Sequence, residues 1–255
     1  MGNSHDHFKG KGALAHVVEA QARGIIAASE IHGTEIPGSL SAAFDSARDV
    51  SVFSCILILF GQLHFLPKNN LFFEIILLVV GLLIWKTGRS AWLAWSRLER
   101  LHDLLKEEHW EIEHNRDQER EELKILYHAK GFEGELLEQV LDVLMADNDR
   151  LLKVMIEEEL GLSLEVHEHP LMQAIGAGLG SIIAGSFILF GYLVWPFAGA
   201  YIAGGVVIAV SGYLSGVYQN IHLVSAVVWN LALGSLSVGS VYFLYNFVKS
   251  LGWVS

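Results

Sequence analysis

The chain has 255 residues, 52% of them hydrophobic, and a formal charge of −11 at pH 7. One cysteine, Cys55, excludes disulfides and thiolate metal clusters within one chain, and a pI near 5.5 with scattered basic residues argues against nucleic-acid binding. Residues 171–247 contain no Asp, Glu, Lys or Arg, so the chain reads as a membrane protein rather than a soluble domain.

In chain order, no apolar stretch stands near Met1, so no cleavable signal peptide is expected. Leu14, Val17, Val18, Ile25 and Ile26 recur at helical spacing, which predicts an amphipathic helix over 12–32 within an N-terminal segment 1–45. Gly33, Pro37 and Gly38 end it. Residues 50–66 and 71–85 are apolar and flank Pro67-Lys68-Asn69-Asn70, read as a tight turn, so 46–96 is expected to form a transmembrane hairpin. The second arm can extend through Trp92 and Trp95, side chains suited to the membrane interface.

Beyond a polar island, three more spans are expected at 171–194, 197–217 and 222–247, within 169–255. Pro196 and residues 219–222 punctuate them. Gly176/Gly180, Gly212/Gly216 and Ser235/Gly239 are small pairs four apart, a spacing that lets membrane helices approach closely. The expected architecture is all-α: five spans, with a three-helix acidic cytoplasmic domain, 97–168, inserted between spans 2 and 3. Arg89, Arg97 and Arg100 follow the second span and favour the cytoplasm for that side.

The island holds the charge. Residues 99–168 carry 21 of the 28 acidic residues of the chain against 8 basic ones, a formal −13. An acidic run on a helix is usually a solvated face, so the test is where the carboxylates lie relative to the apolar stripe. On one helix from 97 to 127, Glu111, Asn115, Glu119 and Glu122 fall within about 60° of Glu108, as do Leu101, Leu104 and Leu126. Four glutamates therefore continue a leucine stripe, whereas Glu107, Glu113 and Glu121 point to solvent. Gly131 is expected to end this helix, and an amphipathic helix follows at about 133–146 with Leu136, Leu137, Val140, Leu141 and Leu144. A third helix, capped by Asp147 or Asn148, places Leu151, Met155, Glu158 and Leu162 on one stripe, with Glu159 beside it.

Carboxylates on an inward stripe repel one another and lose hydration unless a cation joins them. Clustered oxygens suit Fe²⁺, Mn²⁺ or Ca²⁺, and the Met155 thioether tilts the choice toward a transition metal. The island histidines, His167 and His169 best placed among them, read as surface residues before ligands.

The runs Glu119 to Tyr127, Ala129 to Gly131 and Met155 to Leu162 resemble the cytoplasmic metal-binding signature of the vacuolar iron transporter family. Two spans before the island and three after it are similar to that family's layout. The resemblance implies a homodimer in the bilayer that moves Fe²⁺, and often Mn²⁺, out of the cytosol in exchange for protons, with Zn²⁺ as a surrogate ion. It implies a bacterial plasma membrane or a vacuole-like eukaryotic one, with the acidic domain cytoplasmic. Matched by motif, the ligands are Glu108, Glu111, Glu119 and Glu122, which the helical stripe selects independently, with Met155 and Glu159 on the third helix. Glu158 is added by geometry alone. The family's first span opens with Asp-Gly and carries a pore aspartate, with a pore methionine in the second span. Here Asp49, without the glycine, is the nearest pore candidate, and no methionine lies between Met1 and Met145.

That departure leaves a second reading open: a membrane-anchored metal sensor or scaffold that has lost the pore. A di-iron carboxylate enzyme would use Glu-x-x-His pairs on facing helices. Of the fragments at Glu99/His102, Glu111/His114 and Glu165 to His169, only Glu111 lies on the inward stripe, so no enzyme is expected.

Overall fold

The computed structural model describes residues 38–158 and 169–253, and among these every regular element is helical. The elements are α1 (Gly38–Leu63), α2 (Lys68–His114), α3 (Arg116–Ala129), α4 (Gly134–Met145), α5 (Asn148–Glu158), α6 (Pro170–Val194), α7 (Ala198–Tyr218) and α8 (Leu223–Ser250). They form two compact units, and the division falls within α2, between Ala94 and Trp95. The expected helix at 12–32 lies outside the described residues.

The apolar unit is a bundle of α1, the first part of α2, α6, α7 and α8. Among the described residues, four helices are long and apolar enough to cross a membrane: α2, α6, α7 and α8. The protein is an integral membrane protein. In α1, Asp45, Arg48 and Asp49 lie in the first half, and the helix packs against α6, α7 and α8. Its Val50 and Ile58 join Leu71, Ile75, Ala184, Ile188, Tyr192 and Ala200 in one core. Two glycines decide how close α1 and α6 come. A Cβ at Gly176 would overlap the Ser39 carbonyl oxygen, and one at Gly180 that of Ala43, so the small pair brings backbone against backbone as its spacing predicts. Gly212 and Gly216 likewise face Ala226 on α8, whereas Gly239 meets open space.

The hairpin turn differs from expectation. Phe65 takes a left-handed conformation (φ 54°), and Leu66 N–H closes onto the Gly61 carbonyl at 2.9 Å. The chain therefore reverses at 64–67, and Lys68, Asn69 and Asn70 form the first turn of α2. The Pro67 carbonyl accepts from Leu71 N–H at 3.1 Å, so proline stands immediately before the helix it cannot join internally. Tyr192 donates to the Lys68 carbonyl at 3.1 Å, and Tyr201 to Gln62 Oε1 at 2.9 Å, tying this end of the bundle together.

The polar unit contains the rest of α2 with α3, α4 and α5. Ile112, Leu123, Leu137, Leu141, Leu151 and Met155 form its core, and Ile156 packs with Leu101, Leu104 and Leu105. The helix expected over 97–127 is two helices. Asn115 leaves the helical region (φ −126°, ψ 36°) and divides α2 from α3. The break suits an asparagine and places Asp117 and Glu119 in the first turn of α3, at the positive end of its dipole. Gly131 (φ 92°) ends α3 with a paired closure: Gly131 N–H to His128 O at 2.9 Å and Phe132 N–H to Tyr127 O at 3.2 Å. Asp147 caps α5 by accepting from Arg150 N–H at 2.9 Å. Arg120 reaches Glu138 and Asp142 on α4, each at 2.8 Å, and Lys124 reaches Glu138 at 2.8 Å.

Candidate metal site

The four glutamates of the stripe lie inside the polar unit. Glu108 and Glu111 on α2 are each 4% exposed, and Glu119 and Glu122 on α3 are fully buried. The break at Asn115 does not rotate the second pair outward, because helical hydrogen bonding carries across it. Asn115 N–H donates to Glu111 O at 2.7 Å, and Glu119 N–H to Asn115 O at 3.2 Å, so the stripe keeps its phase over the bend. Glu122 Oε1 accepts from Gln118 Nε2 at 3.1 Å, one turn back on the same helix. Glu113 and Glu121 are exposed as expected, while Glu107, expected to face solvent with them, is half-buried.

Carboxylates are among the groups least often fully buried, since an ionised one loses several kcal/mol of hydration unless positive charge or hydrogen bonds replace it. Four on consecutive helices are therefore an unusual concentration of buried carboxylate. Among the described residues, however, no set of three or more His, Cys, Asp or Glu side chains is arranged to hold a metal ion. Glu159 lies outside the described residues. Glu158 is drawn to Lys130, which it pairs with across the end of α3, and the Lys130 ammonium also lies 5.2 Å from the Tyr127 ring centre. Burial, and next the nearby Glu158 charge, raises the Tyr127 phenol above its ordinary value. Met155 is fully buried among Ile112, Leu123, Leu137, Leu141 and Leu151. The structure therefore takes the four helical glutamates inside, sets Met155 in the apolar core, and engages Glu158 in an ion pair.

Two of the island histidines take structural parts. His169 Nδ1 accepts from Leu171 N–H at 3.2 Å and so caps α6. His114 stacks on Trp110 with ring centres 4.5 Å apart. His167 is outside the described residues.

In the apolar unit the pore candidate Asp49 is half-open, and its Oδ2 lies 2.5 Å from Lys86 Nζ on α2. Next to it Arg48 donates to Asn230 Oδ1 of α8 at 2.8 Å and pairs with Asp45 at 2.8 Å. Thus α1 brings two aspartates and one arginine to this level, and Lys86 supplies the fourth charge. The sequence carries a signal for this pair in the spacing of its charges about the turn. An antiparallel hairpin turning near residue 65 sets residue 49 opposite about 82, and Lys86 is the only cation between Lys68 and Arg89.

A family model described as the VIT family matches residues 71–245, more than half of the chain, and no curated protein matches it.

Proposed function

The chain belongs to the VIT family, and from that premise we propose that it carries Fe²⁺ or Mn²⁺ out of the cytosol in exchange for protons. At the level of the family it is a membrane metal-ion transporter, not an enzyme. In the proposed arrangement α1 is a fifth crossing, the polar unit and the N-terminus face the cytosol, and two copies assemble in the bilayer. The membrane would be the plasma membrane in a bacterial cell and a vacuole-like one in a eukaryote. The glutamates of α2 and α3, with Glu159, collect the ion and raise its local concentration.

The observation that carries this reading is the burial of Glu108, Glu111, Glu119 and Glu122 on consecutive helices of the most acidic part of the chain. Mn²⁺ uptake into proteoliposomes holding the full chain tests it. Uptake should require an outward proton supply and fall to background in Glu119→Gln/Glu122→Gln. No uptake at any proton gradient by a folded sample, or unchanged uptake in the double variant, rejects it.

One observation favours the second reading, a metal-binding sensor without flux. The carboxylate nearest a pore position, Asp49, already has the Lys86 ammonium for a partner. Mn²⁺ binding by the full chain without uptake would select that alternative.

A further inference from the structure

The α2 helix presents an aromatic and basic face whose geometry indicates a membrane partner. At residues 83–94 its buried side is set by Leu83 and Thr87, which lie 3.8 and 3.3 Å from the Cβ position of Gly178, and by Ala94, 6% exposed. Trp85, Arg89 and Trp92 fall on the opposite side, within about 60° of one another. Trp85 is 66% and Trp92 61% exposed, and Arg89 is exposed between them. Further down the helix, Phe73, Leu77 and Ile84 are exposed and apolar, so the helix below this level faces hydrocarbon.

Depth follows from helix geometry. Arg89 is 21 positions after Lys68, which is about 31 Å along the axis at 1.5 Å per residue. That is one hydrocarbon thickness, ~30 Å. With Lys68 at one boundary, Arg89 stands at the other, where tryptophans are enriched. The other cations on this part of the bundle are engaged: Arg48 with Asp45 and Asn230, and Lys86 with Asp49. Among the described residues no carboxylate pairs with Arg89.

We propose that Trp85, Arg89 and Trp92 form a binding face for an anionic phospholipid, with its phosphate on the Arg89 guanidinium and its glycerol region against the two indoles. A planar guanidinium matches two phosphate oxygens at once. A lipid without a compensating headgroup ammonium leaves that attraction uncancelled. Charge complementarity thus selects an anionic lipid over a zwitterionic one, and the proposal is independent of metal transport.

The test uses the full chain purified from vesicles of equal phosphatidylglycerol and phosphatidylcholine, with retained lipid measured by native mass spectrometry. Wild type should enrich phosphatidylglycerol, and Arg89→Gln should lose about fivefold of that enrichment, the ratio for one cation at a membrane surface. Arg89→Lys should keep most of it, and Lys249→Gln, at the other end of the bundle, should leave it unchanged. Equal retention of both lipids by wild type, or undiminished enrichment in Arg89→Gln, overturns the proposal. A loss of oligomer mass in Arg89→Gln with lipid retention unchanged also overturns it, since the face would then lie between copies of the chain. Trp85→Ala/Trp92→Ala gives a second reading and should reduce retention of phosphatidylglycerol.

Discussion

The Asp49–Lys86 pair offers the most direct quantitative test, because it joins two helices through one contact. The Lys86 side chain is 11% exposed and the Asp49 side chain 47%, with 2.5 Å between the charged atoms. Exposed pairs contribute about 0–1 kcal/mol, and removing one partner of a buried pair costs about 3–5 kcal/mol. A pair closed on one side and open on the other lies between, so a coupling of about 2 kcal/mol is expected. Lys86→Gln, Asp49→Asn and the double variant form the cycle. Asp49→Asn should be the worse single change, because it strands the more deeply buried ion. The double variant should be less destabilised than the sum of the singles by about 2 kcal/mol, roughly 4–8 °C in the melting temperature of a chain this size. Thermal unfolding of the full chain in nanodiscs, followed by intrinsic tryptophan fluorescence, reads all four proteins. Additivity within about 0.5 kcal/mol would refute the reasoning, since independent sites behave in that way.

Gly180→Leu should prevent α1 and α6 from reaching their contact, because even its Cβ overlaps the Ala43 carbonyl, whereas Gly239→Ala, which meets open space, should be neutral; yield of folded protein and its melting temperature distinguish them. Contacts from Lys124 first and Arg120 next hold the Glu138 carboxyl below its ordinary value of 4.5. A depressed folded value means stability present above that pH and lost as the pH falls below it, so the amide protection factors in α3 and α4 should fall on acidification below about pH 4.5, and Glu138→Gln should flatten that response. Asp147→Ala removes the cap of α5 and should cost about 1 kcal/mol, seen as faster exchange at Arg150 and its neighbours, with unchanged exchange rejecting the cap's role.

Much of this protein was legible from local signals. The uncharged runs set α6, α7 and α8 to within a few residues of their observed bounds, because length and apolarity together suffice to identify a membrane-crossing helix. The 3.6-residue period brought Glu108, Glu111, Glu119 and Glu122 onto the face that is buried, and Gly131 and Asp147 marked ends that helix capping requires. These are consequences of backbone geometry over a few turns, and neighbours in sequence determine them. The tertiary structure decided what depends on which helices meet. Asn115 became a division between helices because the backbone there left the helical region, and Phe65 turned the hairpin earlier than Pro67 suggested. Glu158 went to Lys130 and Met155 into the core because α5 packs on α4 and beside the end of α3. Asp49 acquired Lys86 because an antiparallel hairpin brings together residues 37 positions apart. An ion pair is worth little until packing removes its water, so only the folded arrangement sets which charges find one another.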